Sequence, residues 1–346
     1  MRILAVANPT LDLAAGEREV IALKELEGEG SQVVAGGKLW TSRYLKRLPQ
    51  REWPKYRYAV CENCERYQRV IADSDEKLDV CDSCGMPLKG KSRGTFIVPE
   101  FGFIASRKKP KKVGESRPER AYSTRSYYSG ECDKDNERIL NLKSNIVLKA
   151  ISASHGKMSA INHAGHQRFK VCNWCGYTVL GNEKIEETHE TVLGSPCSGK
   201  LYKYDLGHEY MTDMLQLHFE GYSNPDIGFW HSLLYAILEG ASESLDIDRQ
   251  DLDGCLYPTG GDSSTQSILL FDDVPGGAGH VKRIAQDEDT IVEILKCTLS
   301  KLKNCNCGGE GGDASCYGCL RNYRNQFCHD QLNRVVVIQF LEQNIP

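Results

Sequence analysis

The chain has 346 residues, 40% hydrophobic and 26% charged, a composition that suits two or three globular domains and excludes a disordered chain. No apolar run reaches the roughly 18 to 20 residues of a membrane span, and residues 1–13 carry no signal-peptide cleavage pattern, so a cytoplasmic location without membrane contact is expected. The formal net charge of −4 is uneven: residues 1–130 sum to +7 and the remainder to −11, so a polyanion would meet the N-terminal third first.

The 15 cysteines are the strongest single signal. Disulfide frameworks belong to short secreted chains, whereas here most cysteines stand in close pairs. Two thiolates on one tight turn supply half of a tetrahedral zinc shell, so three zinc ions per chain are expected in a reducing compartment.

In chain order, residues 1–30 are acidic and glycine-rich, with no clear period, and read as a linker or docking segment. Residues 31–130 form a basic zinc-ribbon region. Its first stretch interleaves Arg43, Lys46 and Arg47 with Trp40 and Tyr44, a mixture that suits nucleic acid, where cations meet phosphates and rings stack on bases. A solvated positive face is the competing reading. Cys61, Cys64, Cys81 and Cys84 follow in C-x2-C pairs 16 residues apart, a zinc-ribbon spacing with Gly85 placed for the second turn. Four thiolates leave no open position for catalysis. The proline-containing stretch 107–125 is a basic loop, in which Lys108, Lys109, Lys111 and Lys112 are candidate phosphate contacts.

Residues 131–346 hold the rest: a middle knuckle at 168–200, a core at 201–300 and a four-cysteine site at 305–319. A strand is expected at 146–151. In the middle knuckle, Cys172, Cys175 and Cys197 need a fourth ligand. His189 lies in the intervening loop, while His155, His163 and His166 compete from upstream. The segment 210–219 reads as a strand on which Asp213 shares an apolar face with Leu215, Leu217 and Phe219, so its carboxylate needs a partner. Arg321 and Arg324 are the expected partners, with Asp272 and Asp273 competing for them. An amphipathic helix at 229–245, strands at 253–257 and 266–271, and a helix at 288–303 follow. The glycine-rich turn 275–279 is either an anion site or a tight strand-to-helix turn. Cys305, Cys307, Cys316 and Cys319 form the third set, with glycines at 308, 309, 311 and 312 between the pairs. Cys132, Cys255, Cys297 and Cys328 read as buried residues or free thiols. The fold class that results is α+β, a mixed sheet with packed helices and three zinc-binding sites of knuckle or ribbon type.

Four ordered blocks carry a resemblance: Leu206-Gly-His-Glu-Tyr-Met-Thr-Asp213, Leu233-Leu-Tyr-Ala-Ile-Leu-Glu-Gly-Ala-Ser242, Phe271-Asp-Asp-Val-Pro-Gly-Gly-Ala-Gly-His280 and Ser315-Cys-Tyr-Gly-Cys-Leu-Arg-Asn-Tyr-Arg-Asn-Gln326. Together, over about residues 30–346, the chain resembles the C-terminal zinc-binding module of MrfA-type superfamily 2 helicases, also found in bacterial antiviral islands such as DISARM. The resemblance implies that 131–346 is a helicase-associated zinc-binding domain, that the four cysteines at 305–319 support DNA unwinding, and that His189 completes the middle site.

The sequence has no motor signature. Gly36-Gly37-Lys38 has Gln32 where a phosphate loop needs its first glycine and Leu39 where it needs a hydroxyl, and no D-E-x-[HD] box is present. The expectation is a detached module or subunit without ATPase activity of its own, whose partners are DNA and a helicase motor carried in another chain or a missing N-terminal part. Two alternatives stay open. His280-Val-Lys282 followed by Asp287 has the spacing of a phospholipase D-like phosphodiesterase, with His155-Gly-Lys157 as its second half. A scaffold that binds only protein is the other.

Overall fold

The computed structural model describes residues 20–21, 32–35, 38–45, 52–100, 102–105, 111–112, 124–130, 132–164, 167–181, 188–259, 261, 264–307 and 315–346. Strands β1 (Val20–Ile21), β2 (Gln32–Ala35) and β3 (Lys38–Leu45) begin a small sheet. The ribbon follows with β4 (Lys55–Val60), β5 (Tyr67–Ile71) and β6 (Arg93–Ile97), after which β7 (Phe103–Ala105) and β8 (Lys111–Lys112) pair back onto the small sheet. Val20–Ile21, inside the segment expected to be a linker, pairs with β7, and β8 gives the expected basic loop a short strand.

Next come β9 (Thr124–Tyr128), β10 (Asp133–Asn141) and β11 (Val147–Asn162), then β12 (Phe169–Cys172), β13 (Thr178–Leu180), β14 (His189–Glu190) and β15 (Pro196–Cys197) around the middle knuckle. Strand β16 (Leu201–Glu220), helix α1 (Ile227–Leu245), strands β17 (Leu252–Pro258) and β18 (Gln266–Asp272) and helices α2 (His280–Ile284), α3 (Glu288–Asn304) and α4 (Arg334–Asn344) complete the chain. The class is α+β, with four α-helices among the described residues against a mixed sheet.

The organising element is β16, twice the length expected for that strand. From Leu206 to Glu220 it pairs antiparallel with β11. Its first half also takes β12 antiparallel and β6 parallel, and its second half takes β18. Asp205 stands opposite Phe96 and Leu206 opposite Ile97, so the ribbon is hydrogen-bonded to the same strand that carries the knuckle and the core. Gly207 permits this approach, because a Cβ there would lie 2.1 Å from the Phe96 ring.

Helix α1 begins at Asp226, whose carboxylate accepts from Gly228 N–H at 2.9 Å, and ends at left-handed Asp246. It is buried on nearly all sides, between β17 and β18 on one face and α3 and α4 on the other. Leu233, Leu234, Ile237 and Leu238 are each at most 1% exposed, and each such burial stabilises by about 1.5–3 kcal/mol. At Gly240 an added Cβ would meet Thr298 Oγ1 at 2.0 Å, so even alanine there would push α1 off α3. Among the described residues no helix is long and apolar enough to cross a membrane.

Candidate metal centres

Three sets of side chains converge, and they are the sets that the spacing predicts. Within each, all four ligand atoms lie within 4.8 Å of one another. A tetrahedral zinc with Zn–S near 2.3 Å needs S···S separations of roughly 3.5 to 4 Å. In the first set Cys61 Sγ is 3.6 Å from Cys84 Sγ and Cys64 Sγ is 3.6 Å from Cys81 Sγ. In the third, Cys305 to Cys316 is 3.5 Å, Cys307 to Cys319 is 3.7 Å and Cys316 to Cys319 is 3.8 Å, with Cys305 and Cys307 at 3.4 Å.

In the middle set Cys172 Sγ is 4.0 Å from Cys197 Sγ, and Cys175 Sγ is 3.2 Å from His189 Nε2. The β14–β15 pairing puts His189 directly opposite Cys197, and the imidazole stacks on Tyr177 at 4.7 Å. Burial holds the His189 pKa below its ordinary value, which favours the neutral ring a metal requires. Of the competing histidines, His163 contacts Tyr58 and Tyr127, His155 is exposed beside Asp133, and His166 lies outside the described residues. Gly199 closes the site: a Cβ there would stand 2.6 Å from Cys172 Sγ.

Local backbone geometry explains the convergence. In three knuckles the residue after the second cysteine is left-handed, namely Glu65 (φ 60°), Gly85 (φ 71°) and Gly176 (φ 77°). Its N–H donates to the carbonyl of the first cysteine, at 2.9 Å in Glu65, 3.0 Å in Gly85 and 3.0 Å in Gly176. The third set replaces this with a tight turn in which Cys319, Leu320 and Arg321 N–H all point at the Cys316 carbonyl. Backbone N–H groups also reach the sulphurs directly, Gly318 to Cys316 at 3.2 Å and Cys316 to Cys319 at 3.2 Å. Burial pushes the Cys64 and Cys319 thiols up from their ordinary value, so a cation among the sulphurs is what would keep these sets ionised. The donor chemistry and the spacing both fit Zn2+.

Charge pairing around the third set differs from the expectation. Asp213 Oδ1 pairs with Lys282 Nζ at 2.8 Å, and neither Arg321 nor Arg324 contacts it. Arg321 donates to Ser315 Oγ at 2.8 Å, while Arg324 reaches Asp273 at 2.7 Å and Asp253 at 3.6 Å. The glycine-rich turn brings Lys282 within reach, and Gly277 passes so close that a Cβ would stand 2.5 Å from Asp213 Oδ2.

That turn does bind an anion, but one from the chain itself. Asp272, fully buried, accepts from the N–H groups of Ala278 (2.6 Å), Gly279 (2.6 Å) and His280 (3.2 Å) through Oδ2 and of Val281 (3.0 Å) through Oδ1. The donors an external anion would use are therefore spent. The phosphodiesterase pattern is likewise drawn into structure, since Lys282 pairs with Asp213 and Asp287 caps α3 by accepting from Thr290 N–H at 2.7 Å.

Of the candidate nucleic-acid contacts, Lys46, Arg47, Lys108 and Lys109 lie outside the described residues, and Arg43, Lys111 and Lys112 sit on strands whose side chains are likewise outside them. Cys328 is buried, and Cys132, Cys255 and Cys297 are partly buried.

Three enclosed sets, each with four protein donors, define a zinc-binding protein of the structural type, in which no coordination position stays open for substrate. Residues 233–320 match the MrfA Zn-binding domain, and the third cysteine set lies inside the matched span. The chain is also 26% identical over 331 residues to Druantia protein DruE of Escherichia coli (strain UMEA 4076-1), an alignment covering 86% of this chain and 17% of that relative's length. Two solved structures of the DUF1998 helicase MrfA were also matched. The one bound to DNA gives a TM-score of 0.33 at 14% identity, covering 68% of this chain and 26% of that one. The one bound to DNA and AMPPNP gives 0.27 at 13%, covering 68% and 24%.

Proposed function

We propose that the chain is a non-catalytic, zinc-binding module or subunit that handles DNA for a superfamily 2 ATP-dependent helicase in repair or phage defence. The motor is carried by another chain or by another part of a longer protein. The observation that carries this reading is the third cysteine set, which converges inside the span matching the MrfA Zn-binding domain. The ligands are Cys61, Cys64, Cys81 and Cys84; Cys172, Cys175, His189 and Cys197; and Cys305, Cys307, Cys316 and Cys319. Zinc bound there supplies rigid cross-links and no reactive water, because all four positions are protein donors. The chain's own residues then do the rest. Arg334, at the start of α4, donates to the carbonyls of Leu302 (3.1 Å) and Cys307 (2.8 Å), tying the third set to the helical core. With all 15 cysteines unpaired, a reducing cytoplasm is the compartment that fits.

The test is filter binding of the purified, zinc-loaded chain to labelled oligonucleotides over a salt series, with ATPase and nuclease assays alongside. Binding whose log affinity falls steeply with log salt, without ATP or phosphodiester hydrolysis, is expected. Absence of DNA binding would favour a protein-only scaffold, and magnesium- or manganese-dependent cleavage would restore the phosphodiesterase.

A further inference from the structure

A concave site lies beside the first metal set, where Leu78 of its lining packs in one apolar cluster with Cys61, Cys64 and Cys81. It is a cleft of about 320 Å³ between the ribbon and the turn that leads into β12, and its charged lining is Arg57, Lys77, Arg93, Arg168 and one carboxylate, Asp79. Tyr58 forms part of its wall. Its ring lies against β6 only because residue 94 is glycine, where a Cβ would stand 2.5 Å from the ring. The Tyr58 hydroxyl donates to the fully buried Asp205 at 2.8 Å, fixing the wall from behind.

The cations are held in place and only partly neutralised: Arg93 and Arg168 have carboxylate partners, while Arg57 and Lys77 have none among the described residues. Arg57 donates through Nη2 to the carbonyls of Ser74 (2.5 Å) and Glu76 (2.8 Å), neutral acceptors that position the guanidinium and leave its charge. Arg168 donates to the Arg93 carbonyl at 2.6 Å and approaches Asp205 only to 3.8 Å. Asp79 is engaged by Arg93 at 2.9 Å. Lys77 is exposed and meets no acceptor among the described residues. The Nε atoms of Arg57 and Arg93 are buried without a hydrogen-bond partner, so neither guanidinium is saturated by the protein.

Four cations against one lining carboxylate already paired, two of them on strands β4 and β6, make the open cleft a receptor for a doubly or singly charged oxyanion. We propose that this cleft binds a phosphate group, and that in the DNA-handling reading on which this rests it seats a backbone phosphate. All of its lining except Arg168 comes from the basic N-terminal third, where charge would steer a polyanion first. Planar guanidiniums on β4 and β6 would hold the phosphate oxygens, and Lys77 would add a point charge at the rim.

The experiment uses the full zinc-loaded chain with three probes: a single-stranded oligonucleotide, a duplex and inorganic pyrophosphate. Lys77→Glu and Arg168→Gln are the test variants, Lys77→Ala measures the contact, and Lys149→Ala, whose lysine pairs with Glu220 on β16, is the control. Lys77 has no structural partner among the described residues, so its variants should retain zinc and fold, checked by metal content. Lys77→Glu should weaken oligonucleotide binding at least tenfold at low salt, and Lys77→Ala should reduce the salt slope on duplex by about 0.9, the value of one phosphate contact. Lys149→Ala should change neither. If the native chain binds DNA and both cleft variants bind equally well, the cleft is overturned and the DNA reading stands. If only pyrophosphate binds, and Lys77→Glu abolishes it, the cleft stands and the DNA reading falls. Binding of none of the probes overturns both.

Discussion

Glu65 of the first knuckle and His231 of α1 meet at 3.3 Å, between Glu65 Oε1 and His231 Nε2. The same carboxylate accepts from Arg125 of β9 at 3.1 Å, and the Arg125 guanidinium lies 3.9 Å over the Phe327 ring beyond the third cysteine set. Burial alone would raise the Glu65 pKa, but Arg125 and His231 outweigh it and hold the carboxyl well below the usual range. One ionised side chain thus joins the ribbon to the helical core, beside a partly open cavity of about 40 Å³.

Removing that carboxylate leaves Arg125 and the His231 ring without their acceptor. Glu65→Ala should destabilise by about 2 to 4 kcal/mol, below the full cost of a broken buried pair because the Glu65 side chain is 23% exposed. Glu65→Gly loses the same contacts but accepts the left-handed backbone at φ 60° without strain. It should therefore be about 1 kcal/mol less damaging than Ala. Urea denaturation of both variants decides this, and equal losses would mean that the backbone carries no strain.

Metal content should be three zinc ions per chain by elemental analysis of protein purified without added metal. One ion or fewer would overturn the assignment of the three sets. Chelation should unfold the helical core as well as the knuckles, because Cys319 is buried within the same cluster as Leu233 and Leu320. Helical circular dichroism during chelator titration reads that coupling.

Asp272→Ala strips four N–H groups of their acceptor in a fully buried position. A loss of about 3 to 5 kcal/mol is expected, as for other uncompensated buried polar groups. Because the vacated donors form an anion cradle at the start of α2, sulfate should restore part of the stability of Asp272→Gly and none of the native chain's. Thermal melts with and without sulfate measure it.

The ion pair of Lys282 with Asp213 and that of Arg324 with Asp253 and Asp273 should differ sharply. Lys282 is 46% exposed, so Lys282→Ala should cost no more than about 1 kcal/mol. Arg324→Ala should cost about 2 to 4 kcal/mol, because it leaves Asp253 and Asp273 facing each other in a partly buried seam. Burial, with Asp273 adding to it against Arg324, already raises the Asp253 pKa. A carboxyl raised on folding contributes most in acid, below its unfolded value, and that contribution fades as pH rises through the folded value. Asp253→Asn should therefore be neutral or stabilising at pH 7 and lose that advantage toward pH 4. Denaturation midpoints across that range would show it, and a large loss at pH 7 would refute it.

The sequence by itself determined the metal sets, the helices at 229–245 and 288–303 and the strands at 253–257 and 266–271, while the short helix α2 and the C-terminal α4 appeared only in the structure. These are local properties: a C-x2-C pair brings its sulphurs together through one turn of backbone, and an apolar stripe declares its helix within five turns. It also contained an unused local sign. Glu65 occupies the position that Gly85 and Gly176 fill in the other knuckles, and a non-glycine at a left-handed position marks a side chain retained for another contact. Only the tertiary structure decided which charges meet. Asp213 went to Lys282 rather than to Arg324 because the glycine-rich turn folds over β16, and Asp272 turned inward to cap α2. The cleft of Arg57, Lys77, Arg93 and Arg168 exists only because β6 lies parallel beside β16, bringing the ribbon against the turn before β12. Pairings of this kind depend on strand order and register across segments far apart in the chain. Side-chain periodicity says which face a residue occupies, not which strand will lie next to it.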